Sequence, residues 1–218
     1  MLDSCLRRND RDGMSTVAAI ILAAGQGQRM GQPKLFLEIG GRTFLETAIA
    51  TLEAAGLADI VVVTRADCAK RAAQLAGTHR VVVNPDPERG MLSSLAVAVR
   101  ELPDADGYLV LPVDHPRVGA AAIASLLQAF SAGRGTVVKP IHDGRAGHPV
   151  IIPRRLARDL PSGDVGGGLA KVIADSGVPV ELVTVDDPGI LKNVNEPHDL
   201  ETWTADNADI SGQTCNDG

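Results

Sequence analysis

The sequence predicts an α/β protein built on a mostly parallel, mixed β-sheet, and three observations predict it. Apolar, β-rich runs alternate with segments of helical period four times in succession between residues 17 and 133. Gly56, Gly77 and Gly133 each fall just past a helical run, where a C-terminal cap belongs. After residue 134 the alternation gives way to two strand-like runs around a turn, so the strands do not all run the same way.

In order, VAAIIL (17–22) is an apolar strand, and TFLETAIATLEAAG (43–56) repeats its apolar residues at helical spacing. IVVVT (60–64) and CAKRAAQLAG (68–77) form the second strand and helix, RVVVN (80–84) and SLAVAVREL (94–102) the third, YLVLPVD (108–114) and AAAIASLLQAFSAG (120–133) the fourth. Helices that connect parallel strands pack against the sheet, and here they are expected on both of its faces. GTVVKP, the turn IHDGRAG and HPVIIP read as a hairpin-like excursion. A helix over about 167–176, a strand VPVELVTV (178–185), a short ILKNVN (190–195) and a last helix from Pro197 follow. Residues 1–13 are polar and non-periodic, with Met14 as the expected start, and 205–218 lack an apolar face and read as a disordered tail. Residues 14–204 are left as one domain.

Lys and Arg number 21 against 27 Asp and Glu, a net charge of −6, and the aromatic residues are one Trp, one Tyr and three Phe. A broad nucleic-acid surface needs basic stripes and stacking rings, so small-molecule chemistry is expected instead. No apolar run reaches the roughly 18 residues of a membrane span. Cys5, Cys68 and Cys215 are odd in number and scattered, as reduced thiols of a cytoplasmic protein are. Arg7-Arg8 ahead of VAAIILAAG imitates a twin-arginine export signal. Asp10 and Asp12 interrupt the basic region, however, and the apolar run flows into a Gly/Arg/Lys loop instead of a cleavage site.

In open α/β sheets, ligands bind beyond the carboxyl ends of the strands. The first such loop, Ala23 to Lys34, misses the dinucleotide fingerprint because Met30 stands where its third small residue belongs. Its glycines let the backbone approach a ligand, Arg29 and Lys34 are cations suited to a polyphosphate, and Pro33 keeps the loop from closing at once into a helix. Asp114 ends the fourth strand. A carboxylate there is costly unless it is paired or holds a metal, and Mg²⁺ bridging phosphates fits, with a helix cap as the alternative. His115 beside it has no partner at the spacing of a zinc motif. NPDPERGMLSSL opens a helix at Ser93 or Ser94, which either caps it or faces an anion or a base edge. DGRAGHPV (143–150) and SGDVGGG (162–168) read as turns.

Taken together, LAAGQGQRMGQPK, NPDPERGMLSSL, PVDHP, GRAGHPV, SGDVGGG and NVNEPHDL, in this order and spacing, resemble the MobA/MocA-like nucleotidyltransferases. That group contains the molybdenum-cofactor cytidylyl- and guanylyltransferases, and the resemblance runs from about Val17 to Trp203. It implies a Rossmann-like, three-layer, GT-A-like nucleotidyltransferase domain. It also implies that Leu22, Ala23, Ala24, Gly25 and Gly27 hold the nucleotide, and that Arg29 and Lys34 grip the triphosphate as catalytic cations. Asp114 would bind the catalytic Mg²⁺, with Asn195 facing the metal from the last strand. Asn84, Ser93 and Ser94 would stand near the nucleotide, and Gly90, Met91, Gly147, His148 and Asp164 on the acceptor side. Two departures stand out. Asp114-His115-Pro116 replaces the Asp-Gln-Pro or Asp-Met-Pro common in the group, which leaves metal binding intact, and NVN replaces an Asp-rich form, which leaves the subfamily open.

The implied reaction joins a nucleoside monophosphate from an NTP to a phosphate acceptor of molybdopterin type, whose product serves a molybdenum hydroxylase. Ala24 in LAAG matches the cytidylyltransferase form, where guanylyltransferases carry LAGG, and so favours CTP over GTP. The rival readings are a sugar- or polyol-phosphate acceptor, a GTP-using enzyme, and a carrier that delivers finished cofactor without turnover.

Overall fold

The computed structural model describes residues 15–25, 31–102, 105–133, 135–161, 165–196 and 198–199. The expected extension at 1–13, the tail at 205–218, and Gly27, Arg29 and Asp164 lie outside the described residues.

β1 (Val17–Leu22) shows why the sheet is covered on both faces. Its side chains alternate, Ala19 and Ile21 entering one apolar cluster and Ala18, Ile20 and Leu22 the other. The first cluster is filled from α1 (Phe44–Ala54), α2 (Ala69–Ala76) and α4 (Ala120–Ala132), the second from α3 (Met91–Glu101), α5 (Arg154–Arg158) and α6 (Gly168–Asp175). The result is a three-layer α/β architecture. α1 begins at a capping box, in which Thr43 Oγ1 accepts from Glu46 N–H at 3.2 Å and Glu46 Oε2 accepts from Thr43 N–H at 2.9 Å. No helix among the described residues is long and apolar enough to cross a membrane.

β1 pairs in parallel with β4 (Ile60–Thr64) on one side and with β6 (Gly107–Pro112) on the other. β5 (Arg80–Val83) lies parallel beyond β4. Beyond β6 the sheet turns mixed: β9 (Val150–Pro153) runs antiparallel between β6 and β7 (Val137–His142), and β10 (Val180–Thr184) pairs in parallel with β7. β8 (Arg145–Ala146) pairs with β7 alone. The chain therefore builds outward from β1 through β4 to β5, then returns to lay β6 on the opposite side. The reversal leaves a crevice between the carboxyl ends of β1 and β6, where sheets of this kind bind ligands.

Four details differ from the sequence reading. The helix in NPDPERGMLSSL starts at Met91 with Gly90 as its cap, so neither Ser93 nor Ser94 caps it. HPVIIP does not simply close a hairpin with GTVVKP, because β9 inserts between β7 and β6 and joins the main sheet. ILKNVN is a 3-10 turn, Pro188–Leu191, followed by irregular chain, so Asn195 stands on no strand. The two-stranded hairpin of β2 (Glu38–Ile39) and β3 (Arg42–Thr43), and α5, were not anticipated.

Candidate active site

A cavity of about 360 Å³ opens in the crevice between β1 and β6, within the range of about 300–1,000 Å³ usual for small-molecule sites. Leu22, Ala23, Ala24 and Gly25 form its floor where β1 ends, and Pro112, Val113 and Asp114 form the wall where β6 ends. Pro87, Gly90, Met91 and Ser94 close it from the segment that follows β5.

Lys34 reaches the cavity from a 3-10 turn, Lys34–Phe36, entered through the extended Pro33 (ψ 128°). A 3-10 turn, not an α-helix, follows Pro33 directly. Leu35 and Phe36 bury their side chains, and the Arg71 guanidinium lies 4.2 Å from the centre of the Phe36 ring. The turn is thus anchored on its apolar side, which leaves the Lys34 ammonium to face the cavity.

The ammonium meets two oxygens. Lys34 Nζ donates to Asp114 Oδ2 at 2.9 Å and, by a short hydrogen bond, to Asn195 Oδ1. Asn195 is brought there by its neighbours: Val194 N–H donates to the Asp114 carbonyl at 2.8 Å, and Asp199 Oδ2 accepts from the N–H groups of Asn195 and Glu196 at 2.8 and 2.9 Å. Those two backbone donors hold the Asp199 carboxyl below its ordinary range. The other oxygen of Asp114, Oδ1, lies 3.0 Å from His115 Nδ1. Burial alone would raise Asp114, but the hydrogen bonds from His115 and Lys34 outweigh it and hold the carboxyl at about 2. Asp114 is therefore ionised at any physiological pH.

Asp114 and Asn195 offer hard oxygen donors converging on one point already held by a cation. That donor set suits Mg²⁺, which takes one or two protein oxygens and completes its octahedron with water and phosphate. Among the described residues no group of three His, Cys, Asp or Glu gathers as a metal cluster, so a divalent cation would complete its shell here with water or substrate oxygens.

The remaining predicted residues divide. Asn84, only 2% exposed, spends its amide on structure: Nδ2 donates to Ser93 Oγ at 2.8 Å and Ser94 Oγ at 2.9 Å, and Oδ1 accepts from Asp86 N–H at 2.9 Å. Ser93 in turn donates to the Gly90 carbonyl at 2.7 Å. Asn84 and Ser93 brace the segment after β5 and do not line the cavity, whereas Ser94 does. Gly147 makes a close approach, since a Cβ there would lie 2.2 Å from the Ile190 carbonyl oxygen. His148 packs its ring edge-on against His115, with centroids 4.7 Å apart. Neither Gly147 nor His148 lines the cavity: Gly147 packs on the Ile190 backbone, and His148 stands behind His115. The contact missed from the sequence is His115: its adjacency to Asp114 is visible there, but the hydrogen bond between the two side chains is not.

Residues 19–180 match the MobA-like NTP transferase domain. The chain belongs to the MobA-like NTP transferase family. Relatives similar to it differ in their names. Nicotine blue oxidoreductase of Paenarthrobacter nicotinovorans is 32% identical over 69% of this chain and 78% of its own. The 2-C-methyl-D-erythritol 4-phosphate cytidylyltransferase of Nocardia farcinica is 29% identical over 87% and 86%. A probable molybdenum cofactor guanylyltransferase of Bacillus mycoides is 35% identical over 61% and 65%. Among solved structures, Rv0371c of Mycobacterium tuberculosis superposes with a TM-score of 0.75 at 25% identity, covering 87% of this chain and 97% of the other. The cavity between β1 and β6 thus lies in a chain of an NTP transferase family, on a fold shared with Rv0371c.

Proposed function

We propose that this MobA-like protein transfers a nucleoside monophosphate from an NTP, CTP in preference to GTP, to the phosphate of a molybdopterin-type acceptor and releases pyrophosphate. One observation carries the reading: the Lys34 ammonium bridges the Asp114 and Asn195 oxygens beside a nucleotide-sized cavity at the switch point. An ammonium, an ionised carboxylate and an amide oxygen meeting there make a site for a charged, phosphate-bearing ligand with its counter-cation.

In this reading the nucleotide lies over Leu22 to Gly25. Lys34 would turn its three donors to the triphosphate, joined from the sequence by Arg29, and Asp114 with Asn195 would hold the divalent cation, Mg²⁺. When bound, that cation neutralises charge on the phosphates. An acceptor phosphate oxygen attacks the α-phosphorus, the bond to the bridging oxygen breaks, and the electron pair leaves with pyrophosphate. No protein nucleophile takes part. The chain positions the two substrates and stabilises charge as it builds on the leaving group.

The preference for CTP rests on Ala24, which lines the cavity, and on a cytidylyltransferase relative that aligns over most of the chain. The acceptor rests on the sequence resemblance of the GMLSSL and GHPV motifs, of which only GMLSSL contributes to the cavity lining, and on the molybdenum-cofactor relative. A molybdenum hydroxylase would be the recipient. A second reading has one observation in its favour, the relative named as an oxidoreductase. An assay with Mg²⁺, molybdopterin and each of the four NTPs separates them. Pyrophosphate released over many turnovers, fastest with CTP, supports transfer. One stoichiometric burst indicates a carrier, and redox turnover without pyrophosphate indicates the oxidoreductase.

A further inference from the structure

His115 performs no step in the proposed transfer, yet its imidazole occupies one of the two oxygens of Asp114. We propose that His115 is a positioning residue: by donating from Nδ1 to Asp114 Oδ1 it fixes the carboxylate so that Oδ2 alone faces the point shared with Asn195, and thereby sets the affinity for a divalent cation. The inference rests on the reading of Asp114 as a cation ligand and adds the residue that orients it.

The two oxygens of a free carboxylate are equivalent, and rotation offers a cation either one or both. Mg²⁺ tolerates little departure from octahedral geometry. A donor on Oδ1 aims Oδ2 and removes the two-oxygen alternative. The nitrogen that faces the carboxylate must carry the proton, which fixes the tautomer of His115.

The ring is held for this task. His115 N–H donates to the Pro112 carbonyl at 3.1 Å, which ties the backbone of the turn to the end of β6. The side chain is only 10% exposed and meets the His148 ring edge-on, at an interplanar angle of 62°. His148 is itself fixed, because its N–H donates to the Ile190 carbonyl at 2.9 Å and the contact of Gly147 with that carbonyl leaves no room for a side chain. Burial, with His115 adding to it, pushes the His148 imidazole down to about 4, so the His148 ring itself is neutral at neutral pH.

The test is a Mn²⁺ titration of the full chain, followed by the electron paramagnetic resonance of the free ion, for the wild type, His115→Leu, His115→Asn and Asp114→Asn. His115→Leu should weaken Mn²⁺ binding by about 10–100-fold, whereas His115→Asn, whose Nδ2 falls where Nδ1 stood, should stay within about 3-fold of wild type. With CTP saturating, the apparent KM for Mn²⁺ should rise in His115→Leu while kcat at saturating Mn²⁺ is kept. If His115→Leu does not fold, His115→Ala takes its place against His115→Asn. Asp114→Asn should lose Mn²⁺ binding. Wild-type binding in Asp114→Asn would overturn the cation reading and this proposal with it. If Asp114→Asn loses the ion while His115→Leu binds as wild type, or while His115→Asn is as weak as His115→Leu, the positioning role is overturned and the cation reading stands.

Discussion

Gly147 and His148 carry no polar contact into the cavity, yet each has a measurable consequence at the level of a single side chain. A methyl group on Gly147 would meet the Ile190 backbone at 2.2 Å, and backbone cannot rotate away. Gly147→Ala should therefore destabilise the protein by about 2 kcal/mol or more, read as a lowered midpoint in urea. His148 titrates at about 4 when folded against 6.5 as its ordinary value. The unfolded chain thus binds the proton more tightly, and stability contributed by neutral His148 is complete above pH 6.5 and lost as pH falls toward 4. The loss across that window should be about 3 kcal/mol, and His148→Phe should flatten the dependence between those limits. An equal slope in the variant would show that another group titrates there. Asp114 adds little in this window, since its folded value of about 2 and ordinary 3.8 put most of its contribution below pH 4.

At the scale of the element, the capping box at Thr43 begins the first crossover helix. Thr43→Ala removes the acceptor for Glu46 N–H and should cost about 1 kcal/mol, with nucleotide chemistry unchanged. A loss of activity with full stability would mean that α1 reports to the site. The strands and crossover helices up to residue 133 were legible because each carries its own period, and the Asp114 position followed from its place at a strand end. Three features needed the third dimension. The four residues of β9 read as a strand, but nothing local says that they insert between β6 and β7. Ser93 and Ser94 look like caps because serine favours that position, whereas here Asn84 draws both hydroxyls inward and the helix begins two residues earlier, on Gly90. Asn195 was foreseen near the metal but on a strand; it is carried instead by irregular chain pinned to the Asp114 carbonyl and to Asp199. The β2–β3 hairpin did have a local signal, Gly40-Gly41, both at positive φ between two-residue strands.

For the whole molecule, the order in which strands are laid down brings Lys34, Asp114 and Asn195 together across 161 residues of chain. Lys34 arrives from the turn that follows β1, Asp114 just after β6, and Asn195 from the irregular chain after the 3-10 turn Pro188–Leu191, so the reversal of strand order at β1 creates both the crevice and its charged wall. The central claim is that this wall acts on a triphosphate. It is tested most directly by steady-state pyrophosphate release from CTP, in wild type and Lys34→Ala, beside the Kd of each for CMP. CMP lacks the β- and γ-phosphates assigned to Lys34, so its Kd should change little, while kcat should fall on the order of 10²-fold because the contact strengthens as charge moves to the leaving group. Normal turnover in Lys34→Ala, or no pyrophosphate from any NTP with the wild-type protein, would contradict the account.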